Sequence, residues 1–431
     1  MDAKVSVLMP VYNVQSYLKE CLDSAVNQTY RNIEIVCIDD GSKDDSARIL
    51  DEYSEKYNFI KVLHKKNTGY GNSMNIALDL ATGDYISILE PDDYISPDAI
   101  SHILTKFEEN PCVDFIKCNF IYLYGNKGEY LLKKQRIWDD HGIYGKILSG
   151  KEIHVLYRGY VAHWSAVYRS EFLKKNNIRF NETPGASYQD FGFWFQTLMF
   201  AENVYMDDAY FYHYRQDNPG SSMNNSSKIY CIFDECDYIQ RIMCESGKKD
   251  EVLADYIRCR YAAGRDTFFR INFSDRRAFL NRMHDDFVKL KDEKMLDTDE
   301  LSESEKSFLS ELIESSDEFW KKHVENLYNI KRFIETNEEY YVYGAGKTAA
   351  EFIKCLEEED KRKLKAFLVS NAPDQDSYLG FPVISIAEEK NALTESAIVV
   401  AVTEQYVDEI VNYLKQFNIN NYICIRNLSI W

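Results

Sequence analysis

No Cys-x-x-Cys pair occurs among the ten cysteines of this 431-residue chain. That scatter excludes a disulfide frame and a Cys-based zinc site; with no signal-peptide pattern, it reads as reduced thiols and a cytoplasmic protein. No apolar run is long enough to span a bilayer. Positive charge is scarce too: 51 Lys and Arg stand against 70 Asp and Glu, a net charge of −19. This excludes nucleic acid as a partner, because counterion release needs a basic surface. An acidic chain can still hold a diphosphate where a divalent cation neutralises both. Between residues 227 and 335 Gly and Pro almost vanish, and the pattern there reads as helix.

What is present is core material: 45% hydrophobic residues, 14% of the chain aromatic. At this length two or three domains are expected. Apolar runs at Lys4–Met9, Ile33–Ile38, Phe59–Leu63 and Tyr85–Leu89 read as strands, and Ser16–Asn27, Asp44–Tyr57 and Asn72–Ala81 as helices between them. Such alternation gives a parallel sheet with helices on both faces. Ligands of these sheets sit at the carboxyl ends of the strands. Pro10-Val11-Tyr12-Asn13, Asp39-Asp40 and Glu90-Pro91-Asp92-Asp93 all fall there. The last is the most informative, since three carboxylates at the end of the apolar run Ile88-Leu89 suggest a metal-bound phosphate. Residues 112–214 are mixed and aromatic-rich, and near residue 338 the strand–helix alternation resumes.

The motifs resemble those of the family 2 inverting glycosyltransferases, which have the GT-A fold. The residues that carry the resemblance are Val7 to Asn13, Asp39-Asp40-Gly41-Ser42, Asn67-Thr68-Gly69, Asn72 to Asn75, Ala81 to Tyr85, Glu90 to Asp93, Tyr188-Gln189-Asp190 and Tyr214-Arg215-Gln216, over about residues 3–225. It implies an α/β GT-A nucleotide-diphospho-sugar transferase domain at 1–226. A helical connecting region at 227–336 and a small Rossmann-like α/β domain at 337–431 would follow. It further implies a sugar moved from a UDP-sugar to a hydroxyl of a saccharide or lipid-linked saccharide, in bacterial surface polysaccharide synthesis.

By that resemblance Asp39 or Asp40 reads the nucleoside; Asp40 and Ser42 could instead cap the next helix, though capping does not account for two adjacent aspartates. Pro10, Tyr12, Asn13, Asn67, Gly69, Asn75, Glu90 and Pro91 join the nucleotide-sugar site. Asp92 is the first candidate ligand for Mn²⁺ or Mg²⁺, hard cations that prefer oxygen. Asp93 is a second, or else an anchor of the loop. Glu90 stands where the family usually has Asp. Asp190 matches the base that deprotonates the acceptor and would also cap a helix at 191–200; Gln189 replaces the usual Glu. Arg215 would meet phosphate. His213 is a further metal ligand or a core imidazole, and His163 and Trp164 shape the acceptor pocket or fill a core.

Gly344-Ala345-Gly346-Lys347 follows a strand and opens a helix, as in dinucleotide folds, but Ser370-Asn371 stand where an acid is expected. The domain would bind a nucleotide or sugar phosphate, or serve packing and homo-oligomer formation. Arg258 to Arg282, interleaved with phenylalanines, would meet an anionic inner-membrane face, or pair with the acidic segment after it. Two other readings compete: a nucleotidyltransferase, which would want a Gly- and Lys-rich phosphate loop after the first strand, and a non-catalytic nucleotide-sugar-binding scaffold or regulatory subunit.

Overall fold

The fold is described from a computed structural model, in residues 2–125, 129–139, 141–218, 228–354, 356, 358–371, 375–389 and 393–425. The chain divides into two compact units, Met1–Asn272 with Glu293–Leu301 and Phe273–Asp292 with Ser302–Trp431. The helical stretch at 227–336 is therefore shared between the units rather than standing alone, and the boundary expected at 226–227 lies outside the described residues.

In the first unit the strands are β1 (Val5–Val11), β2 (Ile33–Asp39), β3 (Ile60–His64), β4 (Tyr85–Ile88), β5 (Tyr94–Ile95), β6 (Phe115–Tyr124), β7 (Leu131–Gln135), β8 (Lys146–Ser149), β9 (Ala166–Arg169) and β10 (Asn203–Arg215). The helices are α1 (Gln15–Val26), α2 (Ser46–Lys56), α3 (Tyr70–Leu80), α4 (Ala99–Glu109), α5 (Ser170–Lys175), α6 (Gln189–Phe200), α7 (Cys231–Glu245) and α8 (Lys249–Arg270). One sheet runs β3-β2-β1-β4-β9-β6-β10-β5, with β7 beside β6 and β8 beside β10. Strands β1, β2 and β4 are buried along their whole length, which is why they read as unbroken apolar runs. The exception inside β2 is Glu34, neutralised by Lys4 (2.6 Å) and Lys61 (2.8 Å).

The parallel register pairs Val11 with Asp39 and Asp39 with His64. It brings three strand ends to one level. Strand β4 lies on the other side of β1, pairing Leu8 with Ile88, so the winding reverses at β1. The crevice at such a reversal is where ligands bind. The loops after β1 and β4 border it.

In the second unit α9 (Phe273–Asp292), α10 (Glu303–Glu314), α11 (Ser316–His323) and α12 (Glu325–Glu335) precede β11 (Tyr340–Tyr343), α13 (Lys347–Lys354), α14 (Glu358–Arg362), β12 (Leu364–Val369), β13 (Ser377–Tyr378), β14 (Phe381–Ser385), α15 (Ile386–Glu389), β15 (Ala397–Val400), α16 (Val407–Gln416) and β16 (Tyr422–Cys424). Its sheet order is β13-β14-β12-β11-β15-β16, parallel except for β13. The parallel strands thus follow the winding of a dinucleotide-binding half. Gly344, at φ 109°, turns the chain after β11; a Cβ there would lie 2.6 Å from the Ala401 carbonyl. Ser370, at the end of β12, bonds Tyr343 through its hydroxyl.

The Arg-rich stretch is engaged inside each unit. Arg260 pairs with Asp237 at 2.8 Å, Arg276 covers the Phe273 ring, and Arg277 pairs with Asp317 while covering Trp320. Among the described residues no helix is long and apolar enough to cross a membrane.

Candidate active site

The loops after β1, β2 and β3 are bound to one another. Asn13 accepts from the Lys43 N–H at 2.7 Å, and its own N–H reaches the Ser42 hydroxyl at 3.1 Å. Asp39 accepts from the Ser42 N–H (3.0 Å) and meets His64 Nδ1 (2.8 Å). Asp40 accepts from the N–H groups of Thr68 and Gly69, both at 2.9 Å, and from the Lys65 ammonium. Both aspartates are buried, at 3% and 5% exposure. Neither is presented as a free reader of a nucleoside: their oxygens hold the loop turns in place. Pro10 and Pro91 are buried at the strand ends, while Tyr12, Asn13 and Asn67 are exposed. Gly69, at φ 100°, has no room for a Cβ, which would stand 2.8 Å from the Gly185 nitrogen.

The acidic turn after β4 is caged by β10. The Tyr212 hydroxyl accepts from the Glu90 N–H (3.0 Å) and donates to Asp93 Oδ2 (2.8 Å). The Arg215 N–H donates to Asp93 Oδ1 (2.7 Å), and Arg215 Nε to the Asp92 carbonyl (2.9 Å). Burial and the neighbouring Asp92 push the Asp93 carboxyl well above its usual range, against these bonds. Both Asp93 oxygens are thus engaged in anchoring the loop. Asp92 is only partly buried and accepts from Asn218 Nδ2 at 2.8 Å.

Glu90 faces the other way, accepting from the Tyr70 hydroxyl at 2.6 Å. That hydroxyl also lies 3.0 Å from His163 Nε2. Burial pushes Glu90 up to about 8, helped by the charges of Asp92 and Asp190 and opposed by the Tyr70 bond. His163 is 2% exposed, and burial drives its imidazole down to about 3. It belongs to this internal network. Trp164 stacks on Tyr212 at 4.1 Å and packs on Phe120 and Tyr214, so most of its ring is core.

Asp190 stands in the first turn of α6, partly exposed, after Tyr188 has turned the chain through a left-handed φ of 62°. Burial raises its carboxyl above the usual range, while the backbone N–H groups at the helix start and Arg270 oppose the shift. Gln189 is buried and donates to the Thr183 hydroxyl at 2.8 Å, so the neutral residue in the usual Glu place secures the loop before α6. The Glu90, Asp92 and Asp190 charges act on one another or on shared neighbours, Tyr214 among them.

Three further expected site residues have partners within the fold. Arg215 is buried, pairs with Glu20 at 2.8 Å and covers the Tyr17 ring, so it ties α1 to β10. His213, next on the strand to Tyr212 and Tyr214, points to the opposite face by the two-residue period of β10. There it stacks on Tyr94 at 4.1 Å and reaches the Ser96 hydroxyl at 3.1 Å, away from Asp92. Asn75 is 8% exposed, and its carboxamide bonds Phe180 at both ends (3.0 and 2.9 Å), joining α3 to the segment that leads to α6.

Sequence reasoning missed Tyr70, Tyr212, Lys117 and Glu235. Tyr70 directly follows Asn67-Thr68-Gly69, a signal that could have found it. Lys117 gives no such signal: it is fully buried, donates to the carbonyls of Val161 (2.8 Å) and Ala162 (2.5 Å), and lies 4.2 Å from the centre of the Trp194 ring. It holds the loop from which His163 reaches Tyr70. Glu235, on α7, is buried against Gly192 of α6.

Among the described residues no group of three or more His, Cys, Asp and Glu is gathered around one point as a ready metal cage. One partly exposed carboxylate, Asp92, still fits a hard cation. Mg²⁺-like ions are commonly held by one or two carboxylates, with the remaining positions filled by substrate phosphates and water.

The profile of "Glycosyl transferase family 2" matches residues 6–175, from β1 to the end of α5. These residues belong to glycosyl transferase family 2. The family 2 part is similar to the uncharacterized glycosyltransferase EpsJ of Bacillus subtilis, 30% identical over 220 residues, or 50% of this chain and 62% of EpsJ. The minor teichoic acid biosynthesis protein GgaB of the same organism is 37% identical over 134 residues, 30% of this chain and 15% of GgaB. The chain thus spans less than two thirds of these relatives. A crystal structure of S. aureus TarS 1–349 in complex with UDP-GlcNAc superposes with a TM-score of 0.58 at 20% identity, covering 74% of this chain and 90% of that one. At that identity the likeness establishes the GT-A fold of the family 2 unit.

Proposed function

We propose that the protein is an inverting glycosyltransferase that moves a sugar from a UDP-sugar to a hydroxyl of a surface glycan or its lipid-linked precursor, working in the cytoplasm. The observation that carries this reading is that Asp190, at the start of α6, lies within electrostatic reach of Glu90 and shares the neighbour Tyr214 with Asp92, beside the sheet's winding reversal in a chain with a family 2 match. The UDP-GlcNAc bound by TarS and the teichoic acid role in GgaB's name support the donor and acceptor classes.

In the reaction the acceptor hydroxyl gives its proton to Asp190 and its oxygen bonds the anomeric carbon. The bond from that carbon to the diphosphate oxygen breaks, and UDP leaves with the electron pair. A single displacement of this kind inverts the anomeric centre. Asp190 suits the base: burial lifts its basicity, while helix N–H groups keep the anion accessible. Tyr12 and Asn67 are the exposed side chains that would border the nucleoside, in turns fixed by Asp39 and Asp40. A Mn²⁺ or Mg²⁺ ion on Asp92 would neutralise charge on the departing diphosphate.

The test is UDP release from a panel of UDP-sugars with Mn²⁺, with UDP binding followed by calorimetry. Asp190→Ala should abolish release and leave UDP binding intact. Release that survives in this variant refutes the base. A wild type that binds donors and releases no UDP is a non-catalytic binding subunit.

A further inference from the structure

Helix α8 lies wholly beyond the residues that match the family profile. Its last residue, Arg270, donates to the Tyr188 hydroxyl and covers the Tyr188 ring, with 5.4 Å from guanidinium carbon to ring centre. One turn earlier, the Thr267 hydroxyl meets the same phenol at 3.0 Å. Tyr188 is the left-handed residue (φ 62°) that starts α6, two positions before Asp190. A non-glycine residue in this conformation is strained and persists only where its surroundings hold it. Here the end of α8 does so.

Among the described residues, titratable and charged groups whose fields reach Asp190 come from at least five elements. They are Tyr70 on α3, Glu90 after β4, Tyr214 on β10, Glu235 on α7 and Arg270 on α8. Of these, four are acids or phenols, and Arg270 is the cation. Burial disfavours the Asp190 anion; Arg270 favours it.

We propose that Arg270 is a positioning residue of the transfer reaction, clamping Tyr188 so that α6 presents Asp190 in place and supplying the positive field that keeps it a competent base. This rests on the glycosyltransferase reading, with Asp190 as base. It also gives α8 a part in the site, through a residue outside the matched region.

The experiment is the pH dependence of kcat for UDP release, from pH 5 to 9, in the full chain with Mn²⁺. The donor is whichever UDP-sugar the wild type turns over fastest. Removing the cation raises the proton affinity of Asp190, so the acid limb should move to higher pH, by about one unit for a neighbouring charge. In Arg270→Met, kcat should fall about 10-fold on the acid side and less than about 3-fold on the plateau. KM for the donor should stay unchanged. Arg270→Lys should restore most of the limb position. Thermal melts and UDP binding report whether each variant is folded. A merely structural role would lower kcat by one factor at every pH, and that result, or a profile identical to the wild type, overturns the inference alone. Absence of UDP release by the wild type from every donor overturns the glycosyltransferase reading and this inference with it.

Discussion

Replacing Asp40 by asparagine separates two roles that a carboxylate at a strand end can have. In the free protein Oδ1 accepts from the Thr68 N–H and the Lys65 ammonium, and Oδ2 from the Gly69 N–H. The carboxamide would keep one acceptor and turn an NH₂ toward the Gly69 N–H. The loss is one charge-assisted hydrogen bond, about 1.5–3 kcal/mol, plus an unpaired buried N–H, about 1–3 kcal/mol. A total of about 3 kcal/mol, near the low end of that sum, lowers the population of the locked 65–69 turn roughly 100-fold. The consequence reaches further, because the Tyr70 N–H donates to the Gly185 carbonyl at 2.8 Å, on the path to Asp190. Hydrogen exchange of the Thr68 and Gly69 amides without ligand is the decisive assay. Protection should drop about 100-fold in Asp40→Asn, the Tm of the first unit should fall by roughly 6–12 °C, and UDP should bind more weakly. Weak UDP binding with wild-type exchange would refute the reasoning and return Asp40 to direct nucleoside contact.

Glu34→Gln should destabilise the first unit by about 2–3 kcal/mol at pH 7, the low end for a buried pair because Lys4 and Lys61 are partly exposed. Burial opposes the Glu34 charge, but the two lysines, Ser6 and Thr82 override it and depress its folded pKa. The stabilisation is therefore present above the unfolded value near 4.3 and fades as the pH falls below it. Urea melts at pH 7 and pH 3.5 should show the wild-type advantage shrinking, and a constant advantage would contradict the ion pairs. Gly71→Ala would set a Cβ 1.9 Å from the Asn181 carbonyl. It should cost about 1–3 kcal/mol and lower UDP release, by moving the segment that leads to α6; an unchanged Tm in a thermal melt would refute that clash. Asp92→Asn should weaken the gain in UDP affinity that Mn²⁺ confers by at least the roughly 10–100-fold typical of outer-shell ligand changes. Titration calorimetry with and without Mn²⁺ measures it, and an undiminished Mn²⁺ effect would remove Asp92 from the ion.

The parallel half of the first sheet was legible because its strands are buried on both faces and so carry continuous apolar runs, as Ile33 to Ile38 does. The hairpin of β13 and β14 was not. It offers two residues on one side and a strand with Pro382 on the other, and proline argues against a strand. Strand β10, from Asn203 to Arg215, lies largely in the stretch whose sequence is mixed and aromatic-rich. Its outer stretches mix polar and aromatic residues that alternate between a core and the site, and neither face alone gives a clean period.

At the site, sequence told which carboxylates gather but not what they are committed to. Asp93 is fixed by Tyr212 and Arg215, 119 and 122 residues away. Asn75 is fixed by Phe180, 105 away. Such partners are set by the sheet order β4-β9-β6-β10, which no local pattern contains. Partners far along the chain also engage Arg215 and His213. A motif at a strand end marks both as near the ligand, yet the fold seats His213 against Ser96 and Tyr94, while Arg215 spans from Glu20 of α1 to the Asp92 carbonyl. The residues left at the mouth, Asp92, Asp190, Tyr12 and Asn67, are those whose polar atoms this scaffold has not fully enlisted. Commitment of a polar group to the fold, more than its residue type, separates the groups that build this site from those available to a substrate.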